Sequence, residues 1–137
     1  MAEAGMARTR AKWGDATIDA GFTILPNHLL AINQFLTVER QLTPTEMFVI
    51  LQVLLAWWSA DRLPFPSKAA IAGRTGLSTR QIQRALASLE EKGFLQRTAR
   101  FEGGRGRMTN LYDPNGLVKT VQEFAAKQPD IFARPTP

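Results

Sequence analysis

Two arginines and two glutamines stand together in the run Arg80-Gln81-Ile82-Gln83-Arg84. A guanidinium is a planar fork of donors that fits paired acceptors, either the two edge acceptors of a guanine or the oxygens of a phosphate. A carboxamide offers one donor beside one acceptor, the complement of an adenine edge. Ser78 and Thr79 stand just ahead, where hydroxyls can join exposed helix N–H groups on a phosphate. Chemistry of this kind holds and reads nucleic acid without making or breaking a bond. The residues for covalent chemistry are sparse by comparison. There is no cysteine, which excludes disulfides, thiolate metal sites and a thiol nucleophile. His28 is the only histidine and is expected to be a solvated first-turn residue. Asp15, Asp19, Glu39, Glu46, Asp61 and Asp113 are scattered singly. No catalytic residue, metal site or cofactor is expected.

For the arginines and glutamines to act together they must share a face. Ser78 and Gln81 have the spacing of a capping box, and Gly93 suits the turn that ends a helix. At about 100° per residue, Ile82, Ala85, Leu86 and Leu89 fall on one side of the predicted helix. Arg80, Arg84 and Ala87 fall on the other, flanked by Gln83 and Ser88. Glu90 and Glu91 make the far end acidic, so a polyanion is met by the first two turns and residues 90–92 are expected to stay off it. Ahead of this helix, Ser67 can cap a short helix over 68–74, and Thr75-Gly76-Leu77 supplies a turn. A short helix, a glycine-containing turn and a longer capped helix make the helix-turn-helix pattern. After Gly93 the period becomes alternating over 94–101 and again over 108–112. These two runs flank Glu102-Gly-Gly-Arg-Gly-Arg107 and predict a hairpin. A phosphate-cradling glycine loop would instead open a helix, and no Gly-x-x-x-x-Gly-Lys-Ser/Thr is present.

The remaining segments supply the scaffold. Residues 1–20 read as a flexible basic arm, whose Arg8, Arg10, Lys12 and Trp13 either reach a minor groove or stay solvated. Residues 21–26 read as extended, ahead of a helix over 28–38 capped by Asn27. Thr43-Pro44-Thr45-Glu46 is a strong helix start, and the apolar run after it predicts a buried helix to about residue 59, with Trp57 and Trp58 at core and rim. Residues 61–66, with two prolines, could form a very short strand. Asn115 is expected to cap a last helix ending before Pro129, with a loose tail over 129–137. The expected fold is mainly α: a winged helix-turn-helix of three helices and a β-hairpin wing over 21–128, with an added N-terminal helix and a C-terminal helix.

The 137 residues carry a net charge of +5, and its location is informative. Residues 68–107 hold nine Lys and Arg against Glu90, Glu91 and Glu102, a local +6, while the rest of the chain sums to −1. That asymmetry suits a polyanion-binding face. Lys68, Arg97, Arg100, Arg105 and Arg107 are the expected phosphate clamps, with Arg80, Gln81, Gln83 and Arg84 as base readers. About six neutralised phosphates would give a salt slope near −5. The longest apolar run, 47–58, is too short to span a membrane, and the polar, basic start is unlike a secretory signal, so a cytoplasmic location is expected. A single reading head covers few base pairs, and the apolar surplus on 28–38 and 43–59 leads to the expectation of a homodimer.

The order of parts resembles the bacterial winged helix-turn-helix proteins found among plasmid and phage replication-initiator-like proteins and small transcription regulators. The resemblance rests on Leu63-Pro-Phe-Pro-Ser67, Ile71-Ala72, Thr75-Gly-Leu-Ser-Thr-Arg-Gln-Ile-Gln-Arg84, Leu89-Glu-Glu-Lys-Gly-Phe-Leu95 and Asn110-Leu-Tyr-Asp113, and spans roughly residues 22 to 121. It implies double-stranded DNA as partner, with Ser78, Thr79, Arg80, Gln83 and Arg84 facing it and Arg105 and Arg107 on the wing tip. Regulators, initiators and partition proteins share this domain, and a protein-interaction role is a further alternative.

Overall fold

The structure is a computed structural model that describes residues 2–101 and 107–134. Its centre is α4 (Pro44–Leu55), followed by α5 (Lys68–Thr75) and α6 (Thr79–Glu91). The start of α4 is fixed by a full capping box: the Thr43 hydroxyl accepts from the Glu46 N–H at 3.1 Å, and Glu46 accepts from the Thr43 N–H at 2.7 Å. Val49, Ile50 and Val53 are completely buried and meet Ile71 of α5 and Ile82, Leu86 and Leu89 of α6 in one core. α4 packs on both later helices, and they pack on each other. The strands β1 (Gln96–Phe101) and β2 (Arg107–Asp113) then form an antiparallel hairpin, with an irregularity between Thr98 and Arg100. The chain is therefore a winged helix-turn-helix, mainly helical.

The hairpin is tied down at its base. Tyr112 is buried, and its N–H donates to the Pro64 carbonyl at 2.9 Å, so the proline segment lies along β2 at one point. Phe94 and Leu95, expected in the first strand, instead enter the core ahead of β1. The last helix, α7 (Asn115–Lys127), begins against the end of α6, with the Leu117 N–H donating to the Phe94 carbonyl at 3.1 Å. A side chain added at Gly116 would collide with the Gly93 carbonyl, so only glycine allows this approach. Asn115 does not cap α7. Pro114 holds the cap position without a side-chain bond, and the Asp113 carboxylate accepts from the Asn115 N–H at 2.9 Å and side-chain amide at 2.7 Å.

Several sequence expectations are corrected before α4. Residues 2–20 contain α1 (Ala2–Trp13) and α2 (Asp15–Ala20), joined at Gly14. Arg10 bonds both Asp15 (3.2 Å) and Asp19 (2.8 Å), a staple between two helices that have no amphipathic period to announce them. The expected helix over 28–38 is only α3 (Asn27–Leu30), preceded by Pro26 at the cap position and followed by two short 3-10 turns. Asn33 breaks it: its side chain bonds both the N–H and the C=O of Leu42 at 2.8 Å, and its carbonyl takes the Gln41 amide. His28 is buried rather than solvated. Its Nε2 lies 2.9 Å from the Gln128 carbonyl, and its ring stacks on Phe35 and meets Phe132 edge-on. Phe132 thereby docks part of the segment expected to be loose. α4 also ends at Leu55, short of the tryptophans.

Candidate nucleic-acid interface

The geometry of α6 follows from its two ends. Ser78 accepts from the Gln81 N–H at 3.1 Å, and Gln81 Oε1 accepts from the Ser78 N–H at 2.9 Å. At the other end Gly93 adopts φ 84°, with Gly93 N–H bonded to Glu90 and Phe94 N–H to Leu89, a Schellman closure. Between them, Ile82, Ala85, Leu86 and Leu89 are buried. That fixes the rotation of the helix and turns Arg80, Gln83, Arg84 and Ala87 outward, all exposed. Arg80, Gln83 and Arg84 have no hydrogen-bond or ion-pair partner among the described residues. Gly76, at φ 75°, makes the turn that sets α5 against α6.

Gln81 has a different position from Gln83. Its Oε1 is committed to the cap, so the paired donor and acceptor that an adenine edge requires are not both available. Ser78 likewise spends its hydroxyl oxygen on the cap, while Thr79 is exposed at the first helical position. A shallow groove beside Arg84 is lined by Thr43, Thr45, Gln81 and Ser88. Thr45 is not among the expected contacts, and its signal in the sequence is Thr43-Pro44-Thr45, two hydroxyls at a helix start.

The basic surplus divides into two groups. Arg74 donates to Gln52 at 3.0 Å, and Lys92 bonds both Glu46 oxygens, at 2.8 and 3.0 Å, and the Gln41 carbonyl. Arg97 pairs with Glu90 at 3.0 Å through its guanidinium, and its backbone N–H donates to the same carboxylate at 3.0 Å. Arg100 lies over the Phe65 ring, 4.2 Å from its centroid, and bonds the carbonyl and hydroxyl of Thr109. Four of the nine cations between 68 and 107 are thus engaged within the fold, two of them expected clamps. Lys68, half-buried at the start of α5, has no partner among the described residues. Arg105 lies outside the described residues. Arg107 opens β2, opposite Phe101, and its side chain is likewise outside them.

Local electrostatics explain the acidic end of α6. Glu90 is held below the ordinary carboxylate range, first by the Arg97 backbone N–H and then by its guanidinium, against the cost of partial burial. Burial pushes Glu46 up, but hydrogen bonds from Lys92, Ser88 and the Thr43 N–H outweigh it and leave Glu46 below its usual value. Among the described residues no cluster of His, Asp and Glu could hold a metal ion, and no helix is long and apolar enough to cross a membrane.

Residues 40–95 match a protein family described as a helix-turn-helix domain, so the matched segment runs from the turn before α4 to the end of the α6 closure. No curated protein matches the chain. Among solved structures, it is similar to a possible transcriptional regulator from Methanosarcina mazei Go1, at 23% identity and a TM-score of 0.44, over 67% of this chain and 74% of the other.

Proposed function

We propose that the chain is a sequence-specific double-stranded DNA-binding protein that acts as a transcriptional regulator, with α6 as its reading helix. The observation that carries this is the outward ridge of Arg80, Gln83 and Arg84, free of partners among the described residues on a helix whose opposite side is locked into the core. Arginine is suited to guanine edges and the free carboxamide of Gln83 to adenine. Thr79, Ser78 and the first N–H groups of α6 meet phosphate, with Lys68 alongside and Arg105 and Arg107 reaching a flanking phosphate from the wing. Gln81 acts mainly by holding the helix start. Arg97 and Arg100 position the wing rather than clamp DNA. Two copies read two half-sites, because one such helix covers few base pairs.

Selection from a random duplex pool tests this reading. Expected is an enriched, two-fold related site, bound more tightly than random duplex and lying beside a promoter rather than at a replication origin. A pool that stays random after repeated rounds at low salt would sink it, and a site confined to origins would favour a replication or partition role.

A further inference from the structure

The N-terminal end of α4 borders the Arg84 groove, whereas its C-terminal end lies about 18 Å away and is apolar. Residues 22–26 cross there without helix or strand. The backbone groups of Phe22, Thr23 and Ile24 make no hydrogen bond among the described residues. Between this segment, Trp57, Trp58 and the first turns of α7 lies an open groove of about 490 Å³. Leu55 and Trp58 also border a second hollow, which continues to Phe65. Trp58 is 90% exposed, Ile24 83%, Phe22 51%, Phe65 49% and Leu55 43%. At ~150–250 Å² per aromatic side chain, the three rings alone leave roughly 400 Å² of apolar surface in water. With the aliphatic neighbours the patch passes the ~300–600 Å² typical of the largest patch on a monomer. It approaches the ~800 Å² that each side of a specific interface buries.

We propose that this face is the interface between two copies of the chain, with Trp58 of each copy seated in the other's groove. The inference rests on the two-half-site reading above and names the surface that serves it. A two-fold contact must be self-complementary. Here the protruding indole and a hollow large enough to receive one occur side by side on the same patch. Its lining carries no acidic group to attract a basic partner; of the two cations there, Arg74 is engaged with Gln52 and Arg62 is exposed at the rim. The exposed Phe22–Ile24 backbone adds unspent donors and acceptors at the rim. Because the face lies at the far end of α4, pairing there leaves both reading helices uncovered.

Sedimentation equilibrium of the full chain, with Trp58→Ser and Ile24→Ser as variants, tests it. Both side chains are exposed, so each variant should keep the circular dichroism spectrum and melting curve of the parent. The parent should dimerise at micromolar concentration, and each variant should weaken dimerisation by at least about tenfold. On DNA, each variant should bind a one-half-site duplex like the parent, and a two-half-site duplex at least about tenfold more weakly. A parent that stays monomeric, or a Trp58→Ser chain as dimeric as the parent, overturns the proposal; the first leaves the face to another apolar partner. Dimerisation lost in both variants, with no duplex bound by the parent, supports the interface and refutes only the DNA reading.

Discussion

Arg84 and Arg97 make a paired test of how the interface works. Arg84 is exposed without a partner among the described residues, whereas Arg97 is tied to Glu90 at 3.0 Å. Arg84→Ala should cost roughly 1–3 kcal/mol at the cognate site, about a 5- to 150-fold loss, and relax preference at one base pair. Arg97→Ala should leave base preference and the salt slope almost unchanged, because its charge is already balanced. It should instead lower folding stability by less than about 1 kcal/mol, a modest figure because solvent screens a pair whose side chains are 25% and 37% exposed. With Arg97 and Arg100 both withdrawn from phosphate, the parent slope should lie near −3.5 rather than near −5, at about 0.9 per phosphate. Fluorescence anisotropy against cognate and random duplexes over a salt series measures all three quantities. The reasoning fails if Arg97→Ala flattens the slope by about one while Arg84→Ala changes neither affinity nor preference.

Gln83→Ala should lose discrimination at one base pair with no change in stability, while Gln81→Ala should cost about 1 kcal/mol of stability through the cap and little discrimination; binding-site selection and urea melts separate the two. Lys92→Met strips the buried Glu46 of its cation and should destabilise by about 3 kcal/mol, the lower end for a broken buried pair because Lys92 keeps some exposure; urea denaturation reads it. Gly116→Ala should destabilise by more than about 2 kcal/mol, since the new methyl meets the Gly93 backbone and not a movable side chain, and a melt checks it. Glu46 and Glu90 both sit below their ordinary values, so their stabilisation is full above the unfolded carboxyl pKa of about 4.3 and is lost as pH falls through the folded values. Urea titrations at pH 6 and pH 3 should show that loss, reduced in Lys92→Met.

What could be read from the sequence depended on how local the cause was. The capping boxes at Thr43 and Ser78, the left-handed glycines at 76 and 93, and the buried stripe of α6 are decided within a few residues, so all are legible. The features that local pattern does not show are decided across the chain. His28 meets Gln128, Asn33 meets Leu42, and Lys92 meets Glu46 and Gln41, and no periodicity signals such pairs. The same limit applies at the interface. Composition counts nine cations between 68 and 107, but only tertiary partners separate Arg80 and Arg84 from Arg74, Lys92, Arg97 and Arg100.

The two ends of the helix-turn-helix segment meet in space. Arg40 donates to the Lys92 carbonyl at 3.1 Å and lies over the Phe94 ring, at 4.7 Å from its centroid. The segment from 40 to 95 is thus a closed loop of chain, and what precedes and follows it forms a clasp of α3, Phe35, α7 and Phe132, held by contacts about a hundred residues apart in sequence. Closed loop and clasp are candidates for separate cooperative units in native-state hydrogen exchange. Amides of α3 and the second half of α7 should exchange through an opening that leaves α4 and α6 protected, so α6 outlasts the loss of its clasp.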